Sequence, residues 1–268
     1  MLNKISVLSG NTLKILAAIF MVVDHIGVLI FPNVLWLRVV GRLSFPIFAF
    51  MISEGARYTR NKFKYFISMF SLATLCQLVY YFFDGGSLYM CILVTFSLSI
   101  LLIYLLNFAK RVIGDEDKSM LLKVLSVVAF FAACILVYFI NTKYFVNLTG
   151  ITIDYGFAGI MAPVFASLFD FRGINVTDKI KRLDCIPVRV FCFAIGLLLL
   201  VYEVSMSAAP GVSAVQIFSL LSLPLLLLYS EKRGRLKLKY FFYLFYPLHL
   251  VILYAVYYLM MMSRLGYL

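Results

Sequence analysis

Charge is scarce in this 268-residue sequence: Asp, Glu, Lys and Arg together make up 13% of it, and only 12 residues are acidic. So few charges cannot solvate a water-soluble domain of this size, so lipid must be the solvent. Histidine occurs only twice, at His25 and His249. The five cysteines, Cys76, Cys91, Cys134, Cys185 and Cys192, form no CxxC pair and sit in or beside apolar runs. They read as packing residues rather than disulfides or metal ligands, and no metal is expected. There is no Walker A loop, dinucleotide fingerprint, HExxH site or GxSxG elbow, which excludes the chemistries those motifs carry. There is also no internal repeat, no low-complexity tract, and no inverted pair of broken helices of the kind that marks many transporters.

What is present is apolar bulk: 64% hydrophobic residues and a mean hydropathy of +1.01. Apolar runs cover residues 12–31, 35–55, 63–83, 88–109, 119–140, 154–171, 187–207, 212–230 and 239–261. Each approaches the roughly 20 residues that a helix needs to cross the hydrocarbon core. The sixth is the weakest, because Gly156, Gly159 and Pro163 interrupt it. The pattern predicts an all-α, polytopic integral membrane helix bundle of about nine transmembrane helices, forming a single domain over residues 1–268 of a multi-pass cell-membrane protein. Lys4 and Lys14 ahead of the first run imitate a signal peptide, but the run ends in Asp24-His25 without a small-residue cleavage site, so it is kept as the first span. Asp84-Gly85-Gly86 and Ala209-Pro210-Gly211 read as turns between spans.

The formal charge of +12 would suggest a nucleic-acid partner in a soluble protein. Here the basic clusters lie between apolar runs, so topology accounts for them and no nucleic acid is expected. They fall at Arg57–Lys64, Lys110–Lys123, Arg172–Arg189 and Glu231–Lys239, alternating with loops almost free of positive charge. All but four of the 24 Lys and Arg lie on one side; Lys143 and Arg264 are outside, and Arg38 and Arg42 are within the second run. Positive loops resist translocation, which places the N-terminus inside and the C-terminus outside.

Ionisable groups inside apolar runs are the informative ones, since each costs several kcal/mol to keep in lipid. Asp24 and His25 lie near the outer end of the first run, about 100° apart on a helix. His25 has the chemistry of a general base, and Asp24 can neutralise a cation or orient a ring elsewhere. Arg38 and Arg42 share one helix face at a similar outer depth, and paired guanidiniums suit phosphate or carboxylate. The plainer alternative is an Asp24–Arg42 ion pair locking two helices. His249 closes the run Phe245-Tyr246-Pro247-Leu248-His249, where Pro247 frees a carbonyl one turn earlier and is expected to kink the helix. Glu54, beside Arg57 and Arg60 at the inner end of the second run, reads as a helix-end ion pair or as part of a path for an anionic ligand. Asp154, Glu203 and Gln77 read as ordinary helix-end or interhelical groups.

The stretch from Leu13-Lys14-Ile15 through Asp24-His25-Ile26-Gly27, then Leu37-Arg38-Val39-Val40-Gly41-Arg42-Leu43-Ser44-Phe45-Pro46 and Glu54-Gly55, resembles the TraX family. So do Asp154-Tyr155-Gly156 and Phe245-Tyr246-Pro247-Leu248-His249. The founding member of that family is associated with N-terminal acetylation of conjugative pilin, and the family is similar to multi-pass membrane acyltransferases. The resemblance implies acetyl-CoA as acyl donor and His25 as catalytic histidine, supported by Asp24 and Arg42. Pilin as acceptor does not carry over, because resemblance transfers reaction class better than substrate.

The expectation is therefore an acetyl-CoA-dependent membrane acyltransferase acting at the outer face on an amine or hydroxyl of a peptide or glycan acceptor. His25 is the base and Arg42 the oxyanion donor. Arg38, His249, Tyr246 and Glu54 are candidate substrate-binding residues, and Arg57 and Arg60, with Lys62 and Lys64, are candidates for the CoA phosphates. Two other classes compete. A transporter or proton-coupled channel would use Asp24, His25, Arg42 and His249 as a relay or anion site. A scaffold would use them as interhelical glue.

Overall fold

The computed structural model describes residues 7–83, 86–207, 214–236 and 238–264. The expected turns at Asp84-Gly85 and Ala209-Pro210-Gly211, together with Lys4, lie outside the described residues. The elements in order are α1 (Gly10–Leu29), α2 (Leu35–Gly41), α3 (Ser44–Tyr58), α4 (Lys62–Phe83), β1 (Tyr89–Met90), α5 (Ile92–Gly114), α6 (Met120–Ile140) and α7 (Lys143–Thr149). There follow β2 (Thr152–Ile153), α8 (Gly156–Ala166), α9 (Asp178–Lys181), α10 (Ile186–Ser207), α11 (Ala214–Leu227, tightening to a 3-10 helix over Ile217–Ser222) and α12 (Lys239–Arg264). The described residues are thus all-α apart from two-residue strands, and seven of their helical stretches are long and apolar enough to cross a membrane.

Seven is fewer than the nine runs read from the sequence, and the two shortfalls have local causes. The sixth run yields only the 11 residues of α8, which begins after the left-handed Tyr155 and stops at Ala166, five residues before the run does. The eighth yields α11, whose 3-10 centre rises about 2 Å per residue, so fewer residues cover more depth. The second run is one crossing with a break: α2 stops at Gly41 and α3 starts at Ser44. Pro46 explains it, since a proline ring collides with the carbonyl four residues earlier, that of Arg42. By contrast, α12 runs unbroken through Pro247.

The helices gather into two compact units. The first comprises Met1–Phe48, Leu75–Ser87 and Ser207–Leu268. In it the start of α1 is fixed by the segment that follows α11. Gly10 N donates to Lys232 O at 2.8 Å and Asn11 N to Arg233 O at 2.9 Å, while Asn11 Nδ2 reaches Leu236 O at 2.6 Å. These bonds satisfy donors that a helix N-terminus otherwise leaves without partners. Leu8 pairs in parallel with Tyr229. The far end of α1 meets α2, and Arg42 reaches Gln216 near the start of α11. Accordingly α11 runs antiparallel to α1, from the level of Asp24 down to that of Ser9, a depth of about 22 Å at the helical rise.

The second unit, Ala49–Thr74 and Leu88–Met206, is built around α5, whose Ile100, Leu102 and Ile103 are almost wholly buried. Strands β1 and β2 pair in parallel, a feature invisible in the hydropathy pattern, and set α5 and α8 side by side in the same direction. Thr95 Oγ1 donates to Asp154 O at 2.6 Å, Ser99 Oγ to Ile160 O at 2.8 Å, and Lys110 Nζ to Ser167 O at 2.7 Å. The chain from Asp154 to Asp170 therefore keeps pace with α5 from its first turn to its last.

Candidate functional site

The site in the first unit grows from the close approach of α1 and α2, which two glycines permit. A Cβ on Gly27 would lie 2.8 Å from Leu37 Cβ, and one on Gly41 would lie 2.2 Å from Asp24 Oδ1 and 2.3 Å from Asp24 Cβ. Asp24 therefore rests on bare backbone, and its carboxylate is gripped by both arginines. Arg38 Nη1 lies 2.8 Å from Oδ2, and Arg42 Nη2 3.4 Å from each oxygen. Arg38 also donates to the Asp24 carbonyl at 3.3 Å. Two guanidiniums against one carboxylate leave the cluster with one net positive charge.

His25 turns a different way, as adjacent helical residues must. Its Nδ1 lies 2.7 Å from the Met21 carbonyl one turn back. A carbonyl only accepts, so the Nδ1 carries the hydrogen and the neutral ring keeps its lone pair on Nε2. His249 repeats the arrangement on α12, with Nδ1 3.1 Å from the Phe245 carbonyl. The two rings meet edge to face, centroids 5.2 Å apart. Phe245 stacks on His249 at 5.1 Å and Tyr246 meets it edge-on at 5.3 Å, so His249 is clamped within its own helix. The His249 Nε2 is buried and has no hydrogen-bond partner among the described residues.

The only two histidines of the chain thus converge, with Tyr246, Asp24, Arg38 and Arg42 in the same unit. Asp24 holds the arginines rather than the His25 ring, whose orientation is set by the backbone. Gln216 was missed from the sequence altogether. It accepts from Arg42 Nη1 at 3.2 Å and is 1% exposed. A lone glutamine at the edge of an apolar run carries no signal unless its spacing to Ser219 and Ser222 is read against a 3-10 rather than an α-helical period.

The second unit holds the remaining candidates in a different state. Glu54 pairs with Arg189, not with Arg57 or Arg60, and the two are 4% and 1% exposed. Arg189, counted above with the inner loop charges, lies inside α10, its guanidinium 5.6 Å from the Phe50 ring. Arg57 is held by Asp184 and by Asp170 at 3.2 Å. Asp184 also accepts from Phe171 N at 3.1 Å. Arg57 is therefore committed to two carboxylates, whereas Arg60 and Lys64 are exposed, as are Arg172, Lys179, Lys181 and Arg182. Glu203 caps α8, taking Ala158 N at 2.7 Å and Phe157 N at 3.2 Å. Gly156, with φ of 57°, leaves room for it, since a Cβ there would sit 2.3 Å from Glu203 Oε1. Asp154 is bonded through Tyr89 Oη.

Seven helices long and apolar enough to cross a membrane among the described residues, with ionisable side chains gathered in their interior, define the class: a multi-pass α-helical membrane protein with a buried polar cluster. Within that class the chain belongs to the TraX family, whose model, described as TraX protein, matches residues 9–257, nearly its whole length. No curated protein and no solved structure matches it significantly.

Proposed function

We propose that the protein is an integral membrane acyltransferase of the plasma membrane. It moves acetyl from acetyl-CoA to an amine or hydroxyl of a peptide or glycan acceptor at the outer face. The observation that carries this reading is the pair of imidazoles 5.2 Å apart, each with Nδ1 committed to its own helix. That leaves an Nε2 lone pair on each of two rings in contact, beside the Asp24–Arg38–Arg42 cluster, a source of the base that an incoming nucleophile needs. His25 is half-buried and takes the acceptor's proton. The net positive charge of Arg38, Arg42 and Asp24 favours the negative charge that develops on the acyl oxygen. The exposed cations Arg60, Lys64, Lys179, Lys181 and Arg182 of the second unit offer charge for the CoA phosphates. Arg57 supports them by ordering Asp170 and Asp184 rather than by binding phosphate.

The reading includes nine crossings with the N-terminus in the cytoplasm. Counting only the seven long helices would put the basic residues 172–182 outside, against the positive-inside rule. Letting α8 and α11 cross restores every basic loop to one side, and the parallel course of α8 beside α5 and the antiparallel course of α11 beside α1 support this.

The test is release of CoA from acetyl-CoA by the purified protein in detergent, with amine and sugar acceptors present. The wild type is compared with His25→Ala. Release that falls by about 10²–10⁴-fold in a folded mutant is expected from loss of a general base. Undiminished release in the mutant would remove His25 from the chemistry. No release and no acetyl-CoA binding by the wild type would overturn the acyltransferase and turn attention to flux in proteoliposomes.

A further inference from the structure

The 3-10 stretch of α11, with the residue just before it, carries a buried polar stripe. Gln216, Ser219 and Ser222 are spaced by three, the period of a 3-10 helix, so they project along one line. All three are buried, while Ile217, Phe218 and Leu221 between them are exposed on the apolar side. Ser222 closes locally, its Oγ donating to Ser219 O at 2.7 Å. Gln216 reaches outward instead, and its Oε1 accepts from Arg42 Nη1 at 3.2 Å.

That contact fixes which branch of the amide is which. A guanidinium only donates, so the branch facing Arg42 is the oxygen and the other branch is the NH2. The Gln216 Nε2 is sealed from water and has no hydrogen-bond partner among the described residues; the same holds for Ser219 Oγ. An amide donor kept buried and unmatched is disfavoured and calls for a reason. The orientation is enforced by a chain of contacts, because Asp24 holds Arg42 and Arg42 holds Gln216.

We propose that Gln216 is the donor to the acyl carbonyl oxygen: its Nε2–H binds the thioester carbonyl of the acyl donor and the oxyanion formed from it. The assignment rests on the acyltransfer reading. In the first step the acceptor nitrogen or oxygen bonds to the thioester carbon, its proton passes to His25 Nε2, and the C=O π pair moves onto the oxygen facing Gln216. In the second step that pair re-forms the C=O, the C–S bond breaks, and the departing CoA thiolate takes the proton back from His25. Asp24 and Arg42 are positioning residues in this scheme. Donor and carbonyl meet in the substrate complex, as catalytic hydrogen bonds often do.

The decisive variant is Gln216→Glu. It keeps the shape and an oxygen for Arg42, yet replaces the donor by an acceptor. Its unfolding temperature in detergent should equal or exceed that of the wild type, the KM for acetyl-CoA should change by less than about threefold, and kcat should fall about 10²–10³-fold. Gln216→Met, uncharged and of similar length, covers the case in which the glutamate disturbs folding, and should lose kcat similarly. An activity-independent readout is the infrared carbonyl stretch of bound acetyl-CoA labelled at its carbonyl carbon, which should lie lower in the wild type than in either variant. If the wild type turns over while both variants keep kcat within about threefold, or the carbonyl band is the same in all three, the Gln216 assignment is overturned. A wild type that neither binds nor consumes acetyl-CoA overturns the acyltransfer reading, and the assignment falls with it.

Discussion

Gly41→Ala is the sharpest test of how the site is built. The new Cβ would lie 2.2 Å from Asp24 Oδ1, 2.5 Å from Cγ and 2.3 Å from Cβ, where contacts even at 3.0–3.4 Å are already tight. Rotating the carboxylate relieves only the first two, because Cβ is fixed to the α1 backbone. The two helices must therefore separate by about 1 Å, an overpacking cost of about 1–3 kcal/mol. Separation also loosens the Asp24–Arg38 contact of 2.8 Å and the longer ones to Arg42. A charge-assisted hydrogen bond contributes about 1.5–3 kcal/mol, so the expected total is about 3–5 kcal/mol. The chain supplies its own reporter, since its one tryptophan, Trp36, stands on α2, the helix that carries Gly41. Its fluorescence during SDS titration of protein in mixed micelles gives the unfolding free energy.

The same reasoning predicts the partner mutation. In Gly41→Ala/Asp24→Gly the atoms that collide are gone, so the double mutant should be no less stable than Asp24→Gly alone. The cycle should therefore show a coupling of at least about 2 kcal/mol. If Gly41→Ala stays within about 0.5 kcal/mol of the wild type, or the two changes simply add, the bare-backbone seat for Asp24 is wrong.

Removing Arg189 with alanine should destabilise by about 3–5 kcal/mol, because Glu54 is left charged and buried, while Glu54→Met/Arg189→Met should return most of that loss; SDS unfolding of the wild type and the two variants reads both. Glu203→Ala removes the cap from α8 and should lower stability by about 1–2 kcal/mol, a change that hydrogen exchange at Phe157 and Ala158 would localise. His249→Phe keeps the ring stacked against Phe245 but deletes the Nε2 lone pair. If the two imidazoles share the proton, CoA release should drop about 10²-fold with little change in unfolding temperature, whereas unchanged release would confine the chemistry to His25.

Hydropathy alone located all seven long helices, because a 20-residue apolar run has few alternatives in lipid. It failed where backbone geometry rather than composition sets length. The left-handed pair Tyr155-Gly156 sets the start of α8 and the turn after Ala166 its early end, and the 3-10 turn of α11 depends on packing that no residue announces. The strands β1 and β2 are too short to leave a period. Buried ion pairs were half visible: Glu54 and Arg57 stood out as charges near an apolar run, but their partners Arg189, Asp170 and Asp184 come from more than 110 positions along the chain. Basic character misled at Arg189, since a cation at the end of an apolar run reads the same whether it faces water or a buried carboxylate.

The gathering of Asp24, His25, Arg38, Arg42 and His249 in one unit was legible from the sequence, and the reason is energetic. Lipid makes every stray ionisable group expensive, so the few that persist mark a protein interior. His25 and His249 are 224 residues apart in sequence, yet both follow a backbone carbonyl by one turn, and this gives them the same tautomer. Neither needs a carboxylate to orient it. That frees Asp24 for the arginines, and the arginine it holds fastens the Gln216 amide, so one carboxylate organises both guanidiniums and the amide. The role first read for Arg42, donation to the oxyanion, thus passes one side chain further to an uncharged donor, while Arg42 supplies field and orientation. An uncharged amide in a dry site binds a developing oxyanion without first having to be released from a counter-ion, which a guanidinium already paired to Asp24 cannot avoid.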